Sequence, residues 1–272
     1  MRIDNKQIEN LWKESGNILP KFAKLVIDET TVWTHWHDPD HIDILESPPW
    51  VDDKIVSTTK VSDLDEIQIL PPCEPTKIVG LALNYKGLVG SQNEYPSPLI
   101  FLKSPNALIG YNEPLPCPPS ESRTWLEVEL AMVIGRKAQN VPVENALEYV
   151  CGFTIANDIT TENIENRDHH LAYSKSQDGF CPLGPFLIPN IETDDLQISS
   201  WVDQSLKQSS GTSDRILNDA ETIAYITRHF TLMPGDVVMT GSCDGWREAT
   251  ITPGCIMKLS IENIGILRNP VI

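Results

Sequence analysis

The stretch WLEVELAMVI at residues 125–134 decides the fold, because its apolar residues alternate as they do in a half-buried strand. Side chains point to the two faces of a strand in turn, so Glu127 and Glu129 share a face with Ala131 and Val133. The two Glu residues are ~6.6 Å apart along such a strand. An amphipathic strand with an acidic outer face would give the same spacing. Ala and Val are not typical of an open face, however, and like charges on one face repel unless a cation lies between them.

A second predicted strand, GFTIAND at residues 152–158, offers a third carboxylate. Thr154, Ala156 and Asp158 share one of its faces, and the Asp stands at its end. An Asn-Asp pair at that place is, by itself, typical of a turn. Three carboxylates without a His or Cys partner suit a hard cation, namely Mg²⁺, Mn²⁺ or Ca²⁺.

The rest of the chain predicts many strands and few helices, which favours an α+β fold. Residues 1–75 form a small N-terminal region, which ends near Pro75 where the strand KIVGLAL begins, and residues 76–272 form the main domain. We expect Pro142 at the first position of one helix and Asp219 as the N-cap of another.

Composition and charge exclude several classes of protein. The chain has 272 residues and a formal net charge of −17, so it would repel nucleic acid, whose binding depends on Lys and Arg. We find no run of about 18 apolar residues and no apolar segment near Met1, so we expect no membrane span and no secretory signal. The expected location is the cytoplasm, and the expected partner is a small-molecule substrate.

Cysteines and N-terminal histidines are further candidate metal ligands. The cysteines are widely spaced and form no C-x-x-C pair, which favours reduced, buried thiols over a disulfide scaffold or a zinc knuckle. They are Cys73, Cys117, Cys151, Cys181, Cys243 and Cys255. His35, His37 and His41 resemble a zinc-binding spacing only loosely, and a polar loop is the favoured interpretation.

Eight segments, in their order and spacing, resemble the fumarylacetoacetate hydrolase family, from about Lys77 to Ile272. They are LALNY, PLIFLKSPNALIG, WLEVELAMVIGRKAQNV, CGFTIANDIT, SKSQDGFCPLGPFL, TSDRIL, MPGDVVMTGS and IENIGILRNPV. The resemblance implies a mixed β-roll core, of the type of the family's C-terminal domain, in a protein that is usually a homodimer. It also implies that Glu127, Glu129 and Asp158 are the metal ligands, with Mg²⁺ as the expected ion and Mn²⁺ or Ca²⁺ as alternatives.

Substrate contacts are expected at four further residues. The resemblance implies that Lys175 and Thr240 contact substrate. A Lys beside an ion and an anionic substrate can hold an enolate or a carboxylate by charge, although a single Lys usually lies on the surface. The Thr240 hydroxyl and the backbone N–H of Gly241 could bind a carboxylate, although the pair could equally form a turn. We also assign Tyr85, in the Asn-Tyr pair, to substrate binding.

This chain departs from the family where the family activates water. The hydrolases typically carry Asn-Tyr-x-x-His-x-x-Glu on a mobile lid, and here the His and Glu positions are Leu88 and Ser91. Neither residue can act as a general base at neutral pH. Another residue would have to replace the base, and the candidates are His169, His170 and Glu94.

A second departure lies after the metal-binding Asp. The family usually has an Arg-Asp pair and then a Gln, and here those positions are Glu162, Asn163 and Glu165. The substrate end of the site has thus lost a cation and gained carboxylates, which disfavours a dianionic substrate. We include Glu162 among the expected substrate-binding residues and His170 among the catalytic ones.

The sequence therefore predicts a metal-dependent enzyme that cleaves a C–C bond of a 2-oxo or 1,3-dioxo carboxylate through a metal-stabilised enolate. Hydrolysis is the family default. Decarboxylation or keto–enol isomerisation needs only an electron sink and is the alternative that the missing base favours. The residues are also compatible with a non-catalytic metal- or ligand-binding protein, and with a tailoring enzyme for a larger and less charged metabolite.

Overall fold

The computed structural model describes residues 1–16, 20–64, 66–88, 97–116 and 122–272. Within these residues the N-terminal strands are β1 Ile3–Asp4, β2 Lys21–Ile27, β3 Thr30–Trp36, β4 His41–Leu45, β5 Ile55–Lys60 and β6 Glu66–Leu70. The middle strands are β7 Ile78–Ala82, β8 Leu99–Lys103, β9 Leu108–Ile109, β10 Thr124–Trp125, β11 Val128–Ile134, β12 Val150–Asn157, β13 Thr160–Thr161 and β14 Cys181–Ile188. The last are β15 Gln197–Val202, β16 Ser205–Gly211, β17 Val237–Ser242, β18 Ile256–Ile261 and β19 Gly265–Pro270.

Helices are few and short in the described part of the chain. The α-helices are α1 Asn5–Glu14, α2 Ala172–Lys175 and α3 Asp219–Thr227. The 3₁₀ turns are Val61–Asp63, Pro105–Ala107, Val143–Tyr149, Ile164–Asn166, Thr212–Asp214 and Trp246–Glu248. This balance confirms the α+β fold with a mixed, sheet-dominated core. No described helix has both the length and the apolar character needed to cross a membrane.

One large mixed sheet runs in the order β5-β4-β3-β2-β14-β12-β11-β17-β7-β8. β17 and β7 pair in parallel, whereas β11 pairs antiparallel with both β12 and β17. A second sheet, β16-β15-β18-β19, packs on β11, β12 and β14. Every residue of β11 is buried, so both faces of this strand are covered.

The N-terminal strands belong to the same large sheet. β2 pairs with β14 through Phe22 and Leu187, and the Trp36 ring packs edge-on against Phe186 with centroids 5.5 Å apart. Buried apolar side chains from both parts form one continuous core. The domain boundary near residue 75 falls between β6 and β7 and stays a prediction. Strands from both sides of it belong to one sheet.

Two helix-start predictions need correction. Asn218, and not Asp219, is the N-cap of α3: its side chain accepts from the backbone N–H of Glu221 in a capping box. Asp219 is already helical and pairs with Arg215 instead. Pro142 precedes its helix as the capping residue, and that helix, Val143–Tyr149, is a 3₁₀ and not an α-helix.

Candidate active site

Antiparallel pairing of β11 and β12 brings the three carboxylates together. Glu129 lies opposite Ala156, and the backbone N–H of Asp158 donates to the carbonyl of Glu127 at 2.9 Å. The end of β12 therefore lies beside the start of β11. One oxygen from each of Glu127, Glu129 and Asp158 lies within 4.8 Å of the others. Ala131 and Val133, on the same face, are fully buried, as expected for a face closed to solvent.

Two lysines neutralise part of this charge. Lys103 Nζ lies 2.5 Å from Asp158 Oδ1 and 3.2 Å from the Ile159 carbonyl oxygen. Lys175 pairs with the other Asp158 oxygen and donates to Thr160 Oγ1 at 2.8 Å. With all five groups ionised, the site keeps one negative charge in excess. The sequence analysis did not single out Lys103. Its place in the apolar strand PLIFLKS was the available signal, because a lysine buried in such a strand needs a charged partner.

Burial and charge separate the pKa values of the three carboxyls. Burial raises the pKa of Glu127, and it raises that of Glu129 further, helped by repulsion from Asp158 and Glu127. Burial also acts to raise the pKa of Asp158, but the ammonium groups of Lys103 and Lys175 outweigh it and lower the pKa. The carboxylates around Lys175 likewise outweigh its burial and raise its pKa, so this side chain is a cation at neutral pH.

The site fits a divalent ion by its chemistry. Its donors are carboxylate oxygens, which hard cations prefer. Glu129 and Asp158 are buried with charge that an ion would compensate, while Glu127 is half-buried on the wall of a cavity. Each Asp158 oxygen that accepts from a lysine has a second lone pair left for another partner.

The cavity beside the carboxylates has a volume of about 220 Å³ and a mostly apolar wall. Its lining residues are Leu81, Ala82, Leu83, Leu88, Phe101, Trp125, Glu127, Glu129, Asp158, Thr160, Lys175, Ser242 and Trp246. Trp125 and Trp246 lie 5.2 Å apart by ring centroids, and Trp125 Nε1 donates to Glu127 Oε1 at 2.6 Å. The indole thus holds the Glu127 carboxylate in place. Neither Trp nor Phe101 follows from the spacing arguments that located the carboxylates.

The turn that carries Leu88 is fixed by Asn84. Its amide donates to the Thr240 carbonyl at 2.7 Å, and its side-chain oxygen accepts from the backbone N–H of Leu217 at 2.9 Å. Leu88 itself donates its backbone N–H to the Tyr85 carbonyl at 3.0 Å. The residue at the family's His position is therefore an apolar part of the cavity wall.

Thr240 and Gly241 lie behind the carboxylates. The Thr240 hydroxyl is fully buried and donates to the Leu130 carbonyl at 3.0 Å, and the Gly241 N–H donates to Glu129 Oε2 at 2.6 Å. Gly241 has φ +95°, and a Cβ there would come within 2.9 Å of the Asn84 Cβ, so a glycine is required. Both residues hold β17 and Glu129 in place, and their contact with substrate stays a prediction.

The structure does not bring the other predicted substrate and base residues to the cavity. Tyr85 is buried, and its hydroxyl has no hydrogen-bond partner among the described residues. His169 and His170 are exposed, and Glu162 lies in a separate surface pocket with Asn163 and Glu165. The roles given to Tyr85, His170 and Glu162 remain predictions. Ser91, Glu94 and Cys117 lie outside the described residues.

Comparisons with known proteins identify the family. Residues 77–272 match the family model described as fumarylacetoacetate (FAA) hydrolase, C-terminal. The chain is 33% identical to the maleylpyruvate hydrolase of Aquipseudomonas alcaligenes, over 75% of this chain and 75% of that one. It is 31% identical to the mitochondrial oxaloacetate tautomerase Fahd2a of Rattus norvegicus, over 75% of this chain and 69% of that one.

A solved structure shares the fold and was determined with a metal ion. This is the fumarylpyruvate hydrolase of Pseudomonas aeruginosa in complex with Mn²⁺ and pyruvate. The TM-score is 0.67 and the identity 27%, over 75% of this chain and 91% of that one. The comparisons thus include hydrolases and a tautomerase, which supports an enzyme but does not select its reaction.

Proposed function

Because the chain belongs to the fumarylacetoacetate hydrolase family, we propose that it is a divalent-metal-dependent enzyme that enolises a 2-oxo or 1,3-dioxo carboxylate. Enolisation here means decarboxylation of a 3-oxo acid to its enolate, or keto–enol isomerisation in which solvent takes up and returns the carbon-bound proton. In neither case is water activated as a nucleophile. We further propose that it works as a cytoplasmic homodimer on a small-molecule substrate.

Glu127, Glu129 and Asp158 are the proposed ligands of the ion, with Mg²⁺ as the first choice and Mn²⁺ or Ca²⁺ as alternatives. The ion would supply, when bound, positive charge for the substrate's carboxylate and oxo oxygens and for the charge that develops on the latter. The close grouping of the three carboxylate oxygens and the Mn²⁺ in the Pseudomonas aeruginosa relative support this assignment.

Lys175 is the proposed anchor of the substrate's negative charge. Its ammonium group lines the cavity, stays protonated because nearby carboxylates raise its pKa, and lies 4.6 Å from the centre of the Phe101 ring. Trp125 and Trp246 form the facing apolar wall and exclude water from the reacting carbons. A carboxylate that leaves as neutral CO₂ is favoured by such a wall, because the charge it loses is poorly solvated there.

Leu88 is the observation that carries the proposal. It lines the cavity. The family resemblance assigns it to the position of the His that activates water in the hydrolases. Among the described lining residues there is no His, and the carboxylates present are the proposed ligands of the ion. None of these residues is left to take a proton from water, whereas loss of CO₂ does not require a base at the C–C bond.

Hydrolysis is the second candidate function. The 33% identity to a maleylpyruvate hydrolase favours it, since that relative is named for the addition of water to its substrate. It would require a base from outside the described cavity wall.

Turnover of two substrate types tests the proposal. Oxaloacetate and an acylpyruvate such as fumarylpyruvate are each incubated with the protein and Mg²⁺ or Mn²⁺. Enol absorbance, pyruvate release and acid release are measured, with Glu129→Gln as the control. We expect enol interconversion or decarboxylation of oxaloacetate well above the free-ion rate, and its loss in the variant. Faster hydrolysis of the acylpyruvate would establish the second candidate, and no turnover of either substrate would favour a non-catalytic binding protein.

A further inference from the structure

A second group of candidate metal ligands lies in the N-terminal strands, away from the carboxylate site. His35 on β3 pairs across the strands with Asp43 on β4, and His37 follows β3 directly. One ligand atom from each of the three lies within 4.8 Å of the others. These residues lie on and beside strands and not in the polar loop expected from the sequence. His41 is not part of the group, because its ring contacts Asp38 at 3.1 Å.

His35 has a ring nitrogen that makes no hydrogen bond to the described residues. This nitrogen, Nε2, is buried. The ring stacks on Phe22 with centroids 4.7 Å apart and meets the His37 ring edge-on at 3.9 Å. A buried, unsatisfied nitrogen costs free energy, and a bound cation would remove that cost.

Asp43 is buried and held by neighbours in the way that ligating carboxylates are. Thr58 donates its hydroxyl to Asp43 Oδ1 at 2.6 Å, while Oδ2 contacts His37 Nε2. Such a supporting hydrogen bond orients a carboxylate for an ion. His37 is half-exposed at the side chain, so the group is open to solvent on that side.

We propose that His35, His37 and Asp43 form a second metal site, for a first-row transition ion of the zinc type. Two imidazoles and one carboxylate, with an open position on the solvent side, suit Zn²⁺, Co²⁺ or Ni²⁺. The carboxylate site, by contrast, has only oxygen donors. The two sites therefore differ in the ions that they select, and the second is independent of the proposed reaction.

Zn²⁺ titration isolates the second site when the first is disabled. The full chain carrying Glu127→Gln and Glu129→Gln is titrated with Zn²⁺ by calorimetry, and Co²⁺ is followed by its visible absorption. We expect one Zn²⁺ per chain and a Co²⁺ spectrum typical of imidazole ligands. Adding His35→Ala or Asp43→Asn is expected to weaken Zn²⁺ binding by about 100-fold, since loss of even a supporting contact costs roughly 10- to 100-fold.

His41→Ala is the matched control, because it removes a neighbouring His outside the group and should leave the affinity unchanged. Where His35→Ala does not fold, as judged by circular dichroism, His37→Ala takes its place, since that side chain is half-exposed. The site is refuted when the parent chain binds no Zn²⁺, when the ligand variants bind as tightly as the parent, or when His41→Ala weakens binding as much as they do.

Discussion

Glu129 is the most constrained of the three proposed ligands. It is buried, accepts from the Gly241 N–H, and carries a raised pKa because of burial and its acidic neighbours. Glu129→Gln keeps the volume but removes the charge that an ion would neutralise. We expect Mn²⁺ affinity, measured by calorimetry, to fall by at least about 100-fold, which corresponds to about 2.7 kcal/mol. Glu165→Gln, an exposed carboxylate outside the cavity, is the control, and an equal loss there would contradict a specific site.

Protons and the ion compete for the same carboxyls. Burial raises the folded-state pKa of Glu127 and Glu129, so the protonated forms persist to higher pH than in the unfolded chain. An ion needs them ionised, and its binding must therefore release protons and tighten as the pH rises. Calorimetry of Mn²⁺ binding in two buffers with different ionisation enthalpies measures this release. Identical heats in both buffers around pH 6 would count against the raised pKa values.

Lys103 links two strands, because its side chain joins the end of β8 to Asp158 at the end of β12. Its side chain is fully buried, and Lys103→Met leaves Asp158 with Lys175 as its remaining cationic partner. Breaking one half of a buried ion pair costs about 3 kcal/mol, so the urea midpoint should fall. Removal of a positive charge beside the triad also favours a divalent ion. We therefore expect Mn²⁺ to recover part of the lost stability.

Lys77→Met provides the matched control for that variant. Lys77 pairs with the buried Asp236 at 2.6 Å, away from the carboxylate triad. Its loss should lower the urea midpoint as well, but Mn²⁺ should not restore the difference from the wild type. Recovery by Mn²⁺ in both variants, or in neither, would show that Lys103 has no special link to the ion.

The sequence predicted the three carboxylates and Lys175 as one site but missed Lys103, for a reason that lies in the sheet. Alternation along WLEVELAMVI and GFTIAND gives the face of each side chain, and two antiparallel neighbours then bring Glu127 and Asp158 together. Lys103 stands on β8, which is separated from β12 by β11, β17 and β7 in the sheet order. It reaches Asp158 only because the sheet curls. No local pattern in one strand encodes that approach.

The same limit applies to the N-terminal histidines. The spacing of His35, His37 and His41 favoured a polar loop, whereas strand pairing groups the first two with Asp43. Tertiary contacts also decide α3, where a capping box at Asn218 frees Asp219 for Arg215. Sequence patterns predict which residues face which way, and the partners across strands decide what they do.

One sheet joins the N-terminal strands β2–β5 to the strands that carry the carboxylate site. Phe186 on β14 is fully buried and packs against Trp36 from the N-terminal part. Phe186→Ala should cost about 3–5 kcal/mol by leaving a cavity. If the two parts unfold together, hydrogen exchange in rising urea will show β3 and β12 losing protection at one common, lowered midpoint.

Leu206→Ala, on an exposed position of β16, is the control and should leave the midpoints of β3 and β12 unchanged. Loss of protection in β12 while β3 stays protected would mean two independent domains that divide near residue 75.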